Sequence, residues 1–187
     1  YQNNNNIMLN DILRCLPFMI IIFEFINGIS ENHRESLLLS VGILLNNNSN
    51  QILKELIKNI FGNNLITSRP LGATNCKDFP DCSGILAKSM GMPSGHTQAI
   101  AFWAGFKLRK IFRNENDWKN RKLSIFGILF ISIITGLGRL SGDYVGNLST
   151  YYESGCHTPL QVIIGYLIGI LLGWYYHIYL VYSGAIS

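Results

Sequence analysis

The sequence predicts an all-α fold, a polytopic membrane helical bundle forming one domain over all 187 residues. Three observations point there. Hydrophobic residues make up 48% of the chain and charged residues 14%, and the mean hydropathy is positive, on the membrane side of the soluble average. Apolar segments recur at about 7–27, 36–60, 95–112, 122–139 and 160–182, giving about five spans. Lysine and arginine are bunched, with seven of them between Lys107 and Lys122.

The first segment, CLPFMIIIFEFI, reads as a span that buries Glu24, with Cys15 as a small buried hydrophobe. His33 falls in a charged turn and is expected to be solvated. The second segment begins SLLLSVGILL but continues NNNSNQILKELIKNI, which no lipid-facing helix would tolerate. It is either a short span followed by an amphipathic surface helix, or an interior helix whose polar face lines a protein cavity. Asn47-Asn48-Ser49 matches a glycosylation sequon at membrane depth, a chance match. The third segment follows GMPSGHTQ, and the fourth, Leu123 to Leu137, is nearly free of charge. The fifth, VIIGYLIGILLGWYYHIYLVY, is long enough to cross a bilayer and ends in an aromatic belt where His177 is expected to be structural.

The basic stretch from Lys107 to Lys122 is expected on the cytoplasmic side. GMPSGHT lies at the other end of the third segment, and GCHTPLQV follows the fourth. Together with TSRP at 67–70 they converge on one non-cytoplasmic surface. Cys76 and Cys82 flank a short turn that a disulfide can close there, free thiols being the alternative. Neither the cysteine spacing nor a second ligand pair suggests zinc, so no metal or cofactor is expected. A net charge of +4 without a basic, aromatic-interleaved stripe gives no reason to expect a nucleic-acid partner. The chain opens at Tyr1 without a charged leader and reads as a fragment or processed product. With five spans, an upstream helix is expected to be missing. Asn147-Leu148-Ser149 is a second sequon, on the non-cytoplasmic side.

Two histidines carry the chemistry. Pro93-Ser94-Gly95-His96 enters an apolar helix and offers a hydroxyl, backbone N–H groups and an imidazole in one volume. His157, at the mouth of another apolar helix, is placed to attack phosphorus. These motifs resemble the type 2 phosphatidic acid phosphatase family, whose relatives include vanadium haloperoxidases and whose pattern is K-x6-RP, PSGH and SR-x5-H-x3-D. The resemblance covers roughly residues 40–175 and carries the same helical membrane fold. PSGH is intact. Lys54, within ILKELIK, matches the first lysine, with Lys58 one turn on as the competitor. Arg69-Pro70 stands about eight residues later than the pattern expects. In the third motif Gly138 replaces the serine before Arg139, an insertion separates Arg139 from His157, and Gln161 replaces the acid. Asp143 and Glu153 lie in that insertion, solvated or lending His157 a carboxylate. His157-Thr158 followed by Gln161-Val162, and Gln98 after His96, resemble the dolichyldiphosphatase branch.

The resemblance implies an integral membrane, metal-independent lipid phosphatase, in the endoplasmic reticulum or another membrane, with its site facing lumen or exterior. Lys54, Arg69 and Arg139 would hold the phosphate, with Ser94 and the Gly95 N–H as neutral donors at a helix N-terminus. His157 would be the nucleophile and His96 the acid and then the base. Gln161 would accept a hydrogen bond from the far nitrogen of His157 and fix its tautomer. The implied substrate is a polyprenyl (dolichyl-type) diphosphate within the bilayer, with phosphatidic acid or another lipid phosphate as the alternative. A non-catalytic lipid-phosphate-binding protein is the competing class, and vanadate-dependent haloperoxidation a weaker third.

Overall fold

The computed structural model describes residues 4–70, 73, 76, 90–114, 118–140 and 156–186. Among them the regular structure is five helices and no strands: α1 (Asn4–Ser30), α2 (Arg34–Phe61), α3 (Gly95–Asn114), α4 (Trp118–Leu140) and α5 (Pro159–Tyr182). Each apolar segment of the sequence lies within one of them. Residues 120–140 and α5 are each long and apolar enough to cross a bilayer, and α1 carries a shorter apolar stretch from Cys15 to Ser30. Large apolar side chains point outward, among them Phe126 and Ile133 on α4 and Ile163, Leu167 and Leu171 on α5. An apolar exterior around polar interior contacts is the pattern of a bundle solvated by lipid.

α2 is one unbroken helix, so its polar half is not a separate surface helix. Asn46 and Asn50 are buried against α3. The Nε2 of Gln98 donates to Asn46 Oδ1 at 2.9 Å, and Asn50 Nδ2 donates to Gln98 Oε1 at 2.8 Å. The expected interior helix is therefore present, and its polar face meets an amide rather than lipid. Glu24 of α1 is only 1% exposed. It accepts from Trp103 Nε1 at 2.9 Å and pairs with Lys107 Nζ at 2.8 Å, clasping α1 to α3.

The most extensive helix contact is α3 on α5. Its cause is a stripe of small residues at every fourth position of α5: Gly165, Gly169 and Gly173. A Cβ on them would run into the carbonyl oxygens of Ser94, Gln98 and Phe102, which share one face of α3. Gly105 of α3 makes the reciprocal approach, to the carbonyl of Ile170. Without a hydrophobic driving force between helices in lipid, close backbone approach over small residues supplies the dispersion contact that holds such a pair. The Tyr166 hydroxyl donates to the carbonyl of Ser132 and ties α4 to the same assembly.

Valine at position 169 forces α3 and α5 apart. Overpacking of this kind costs about 1–3 kcal/mol, so Gly169→Val should lower the thermal unfolding midpoint in detergent. Gly127 has open space where a Cβ would stand, and Gly127→Ala should leave the midpoint unchanged or raise it slightly.

Candidate active site

The C-terminal ends of α2 and α4 and the N-terminal ends of α3 and α5 meet at one end of the bundle. Capping fixes the start of α5. Thr158 accepts from the Gln161 N–H, the Gln161 side chain accepts from the Thr158 N–H, and Pro159 supplies a preset φ in the first turn. This box leaves His157 just outside the helix, buried and pointed at the loops from α2 and α3.

Two acceptors face His157 Nδ1: the Gly91 carbonyl at 2.9 Å and Gln161 Oε1 at 3.3 Å. A carbonyl oxygen has no proton to give. The amide of Gln161 is oriented by its Nε2, which donates to the carbonyls of Ile66 at 2.9 Å and Ser68 at 2.7 Å, so Oε1 must face the histidine. Nδ1 therefore carries the proton and Nε2 the lone pair. That lone pair faces Arg69 Nη1 at 3.3 Å. Gln161 thus has the expected contact, but Gly91 is the nearer partner. A glycine carbonyl carries no sequence signal of this role. A Cβ at Gly91 would run into the Gln161 amide, which is why this residue has no side chain.

Charge converges on the same imidazole. Burial, and then the positive fields of Arg69, Arg139, Lys54 and His96, hold His157 well below the usual histidine range, so it is neutral at pH 7. Burial lowers Arg69 to about 10, which leaves it charged. Arg69 Nη1 also donates to the Cys156 carbonyl at 2.9 Å, and Arg139 Nη2 to the Cys76 carbonyl at 3.2 Å. Arg139 lies in the last turn of α4 and is 1% exposed. The glycine before it, where the motif has serine, packs against Leu13: a Cβ there would stand 2.9 Å from Leu13 Cβ. Lys54 Nζ is 3.9 Å from the place a Cβ on Gly95 would occupy. Lys58 is exposed in the last turn of α2 and does not enter the cluster. Ser94 is fully buried and accepts from Thr97 Oγ1 at 2.5 Å, which leaves its own proton to donate. His96 is buried one residue into α3.

The late Arg69 is explained by the loop before it. α2 ends at Gly62, whose φ of 68° lies in the left-handed region open to glycine. Asn64 Oδ1 then accepts from the N–H groups of Ile66 and Thr67 at 2.9 and 3.0 Å, a local turn typical of asparagine. The Thr67 carbonyl accepts from Gly91 and Met92, joining this turn to the segment beside His157. The extra residues form a turn that brings the guanidinium back over the histidine.

The cysteine pairing expected from spacing is corrected. Cys76 is bonded to Cys156, with Cα atoms 5.4 Å apart and 80 residues between them. Sequence proximity favoured Cys82, whereas the fold carries the Cys76 loop to the residue before His157. Cys82, Asp143, Asn147 and Glu153 lie outside the described residues. Cys15 is half-buried. His33 is solvated beside Glu31, and His177 packs edge-on against Phe106, as structural residues. Among the described residues no group of three His, Cys, Asp or Glu side chains is arranged to hold a metal ion.

No curated protein and no solved structure matches the chain significantly. A family model does, that of the PAP2 superfamily, over residues 36–185. The match begins in the first turn of α2, continues past the end of α5 and takes in every residue that meets His157: the chain belongs to the PAP2 superfamily.

Proposed function

We propose that this cluster hydrolyses a lipid phosphate by way of a phosphohistidine on His157. Family membership suggests a membrane phosphatase of lipid phosphates. The observation that carries the mechanism is the tautomer: Nδ1–H is engaged by Gly91 and Gln161, and the lone pair on Nε2 faces the guanidinium of Arg69. A phosphate that draws Arg69, Arg139 and Lys54 to its equatorial oxygens uncovers that lone pair. Nε2 attacks phosphorus in line, the P–O bond to the leaving group breaks, and His96 gives the departing oxygen its proton. His96 then takes a proton from water, whose oxygen displaces His157 and releases phosphate. The side-chain cations and the Ser94 hydroxyl stabilise the spreading negative charge, and this reading is metal-independent.

The substrate in this reading is a polyprenyl, dolichyl-type diphosphate losing its terminal phosphate. Its support is the run from His157 to Val162 and Gln98 after His96. The site end of the bundle faces the lumen or exterior. That orientation rests on the basic residues near the α3–α4 connection at the opposite end, and on a disulfide beside the site, which persists in oxidising compartments.

The test is phosphate release by the detergent-solubilised protein from dolichyl diphosphate and from phosphatidic acid, in the presence of a chelator. Dolichyl diphosphate should be cleaved with the higher kcat/KM; a preference for phosphatidic acid overturns the branch assignment. His157→Ala should lower kcat at least about 10³-fold, and unchanged turnover would sink the nucleophile. His96→Ala should lose about 10²–10⁴-fold on the lipid, and much less on a phosphate ester whose leaving group needs no proton.

Gln161→Glu restores an acid near the histidine but points a carboxylate at two carbonyl oxygens. Losing two buried donors costs about 1–3 kcal/mol each. The variant should therefore be less active and less stable than the parent, by turnover and thermal unfolding.

The depressed His157 also sets a pH dependence of stability. Below about pH 6.5 the unfolded chain binds a proton on this histidine that the folded state refuses. The stability it contributes is present above that pH and lost as pH falls toward its lowered value. Unfolding midpoints measured from pH 7.5 downward should fall, and His157→Asn should flatten the curve.

A further inference from the structure

Both arginines at the site are held by backbone carbonyls of half-cystines. Arg69 donates to Cys156 and Arg139 to Cys76, and these two residues are bonded to one another. The chain positions involved are 80 residues apart. One acceptor belongs to Cys76, and the other to the residue before His157. The disulfide is therefore the covalent link between the two acceptors that orient the two guanidiniums. Cys156 itself is 3% exposed, inside the cluster rather than at its rim.

We propose that the Cys76–Cys156 disulfide is a positioning element of the phosphate site, so that phosphate binding depends on its oxidation. This rests on the reading that Arg69 and Arg139 hold the phosphate. A dithiol reductant breaks the S–S bond. Each sulfur gains one electron and one proton, and the reductant becomes a cyclic disulfide. Cys76 is then no longer tied to Cys156 by a covalent bond. Arg139 loses the fixed position of one of its acceptors, and Cys156 loses the tether that holds its carbonyl toward Arg69. The helices are unaffected, because their contacts run through the glycine stripe and the amides of α2 and α3.

The experiment uses the full chain in detergent, before and after dithiothreitol and after reoxidation, with the reductant removed by anaerobic gel filtration before orthovanadate is added as the phosphate mimic. Binding is read by vanadium NMR, helix content by circular dichroism and linkage by peptide mapping. Reduction should weaken vanadate binding about tenfold or more, the scale of one charge-assisted hydrogen bond, with helix content unchanged and recovery on reoxidation. Cys82→Ser should behave as the parent, and Cys76→Ser should bind weakly whatever the redox state. Equal binding by oxidised and fully reduced protein overturns the proposal. So does a map joining Cys76 to Cys82, or loss of helix on reduction. Redox-dependent vanadate binding without phosphate release from any lipid would leave the positioning role standing and sink the catalytic reading instead.

Discussion

One buried primary amide holds the site together. The Gln161 side chain donates to two carbonyls of the loop after α2 and accepts from the Thr158 N–H and from His157. Its own carbonyl accepts from the Ser94 N–H at 3.1 Å. The loop after α2, the start of α3, the start of α5 and His157 are thus referred to a single residue. Only a group with both donors and an acceptor can do this. A carboxylate offers no donor at neutral pH, and an apolar residue would leave the carbonyls of Ile66 and Ser68 and the Thr158 N–H without this partner. The amide at this position thus holds neighbouring segments together, a task a carboxylate could not perform.

The electrostatics follow from how the arginines are held. Carbonyl oxygens help orient Arg69 and Arg139. Among the described residues, the charged neighbours that act on His157 are Arg69, Arg139, Lys54 and His96. Elsewhere in the bundle two lysines pair with carboxylates of other helices. Lys107 lies on Glu24 and Lys110 on Glu35, at 2.8 and 2.6 Å. Pairing satisfies a lysine whose purpose is to join helices. In the proposed reaction, positive charge that is buried and pre-oriented would favour a multiply charged phosphate, because the field is in place before charge spreads in the transition state. The same field helps keep His157 deprotonated.

Helix positions were legible because apolar runs and their polar interruptions are local. Pro93 to His96 and His157 were legible because a turn opening an apolar helix is also local. The glycine stripe was in plain view, at a spacing of four in α5, yet its meaning needed the partner backbone. Gly91 was not legible: it contributes a carbonyl, which every residue has. Nor was the disulfide, since spacing favours the near cysteine and only the fold carries the far one into range. The glycine in place of serine before Arg139 became intelligible once Leu13 was seen against it, a contact from a helix outside the matched motifs.

The choice of Lys54 over Lys58 shows how buried amides act on function through register. Asn46, Asn50 and Lys54 are four residues apart and share one face of α2. Gln98 is gripped from both sides, its Nε2 on Asn46 and its Oε1 under Asn50. Sliding α2 by one turn to bring Lys58 forward would place Asn50 and Lys54 about the amide instead. Asn50 could then accept from Gln98 Nε2, but the donor to Oε1 would be an ammonium, buried where a neutral amide now suffices. The cost of burying that second charge opposes the slip. The polar run that makes α2 a poor lipid-facing helix is thus what sets its register and delivers Lys54 beside Gly95.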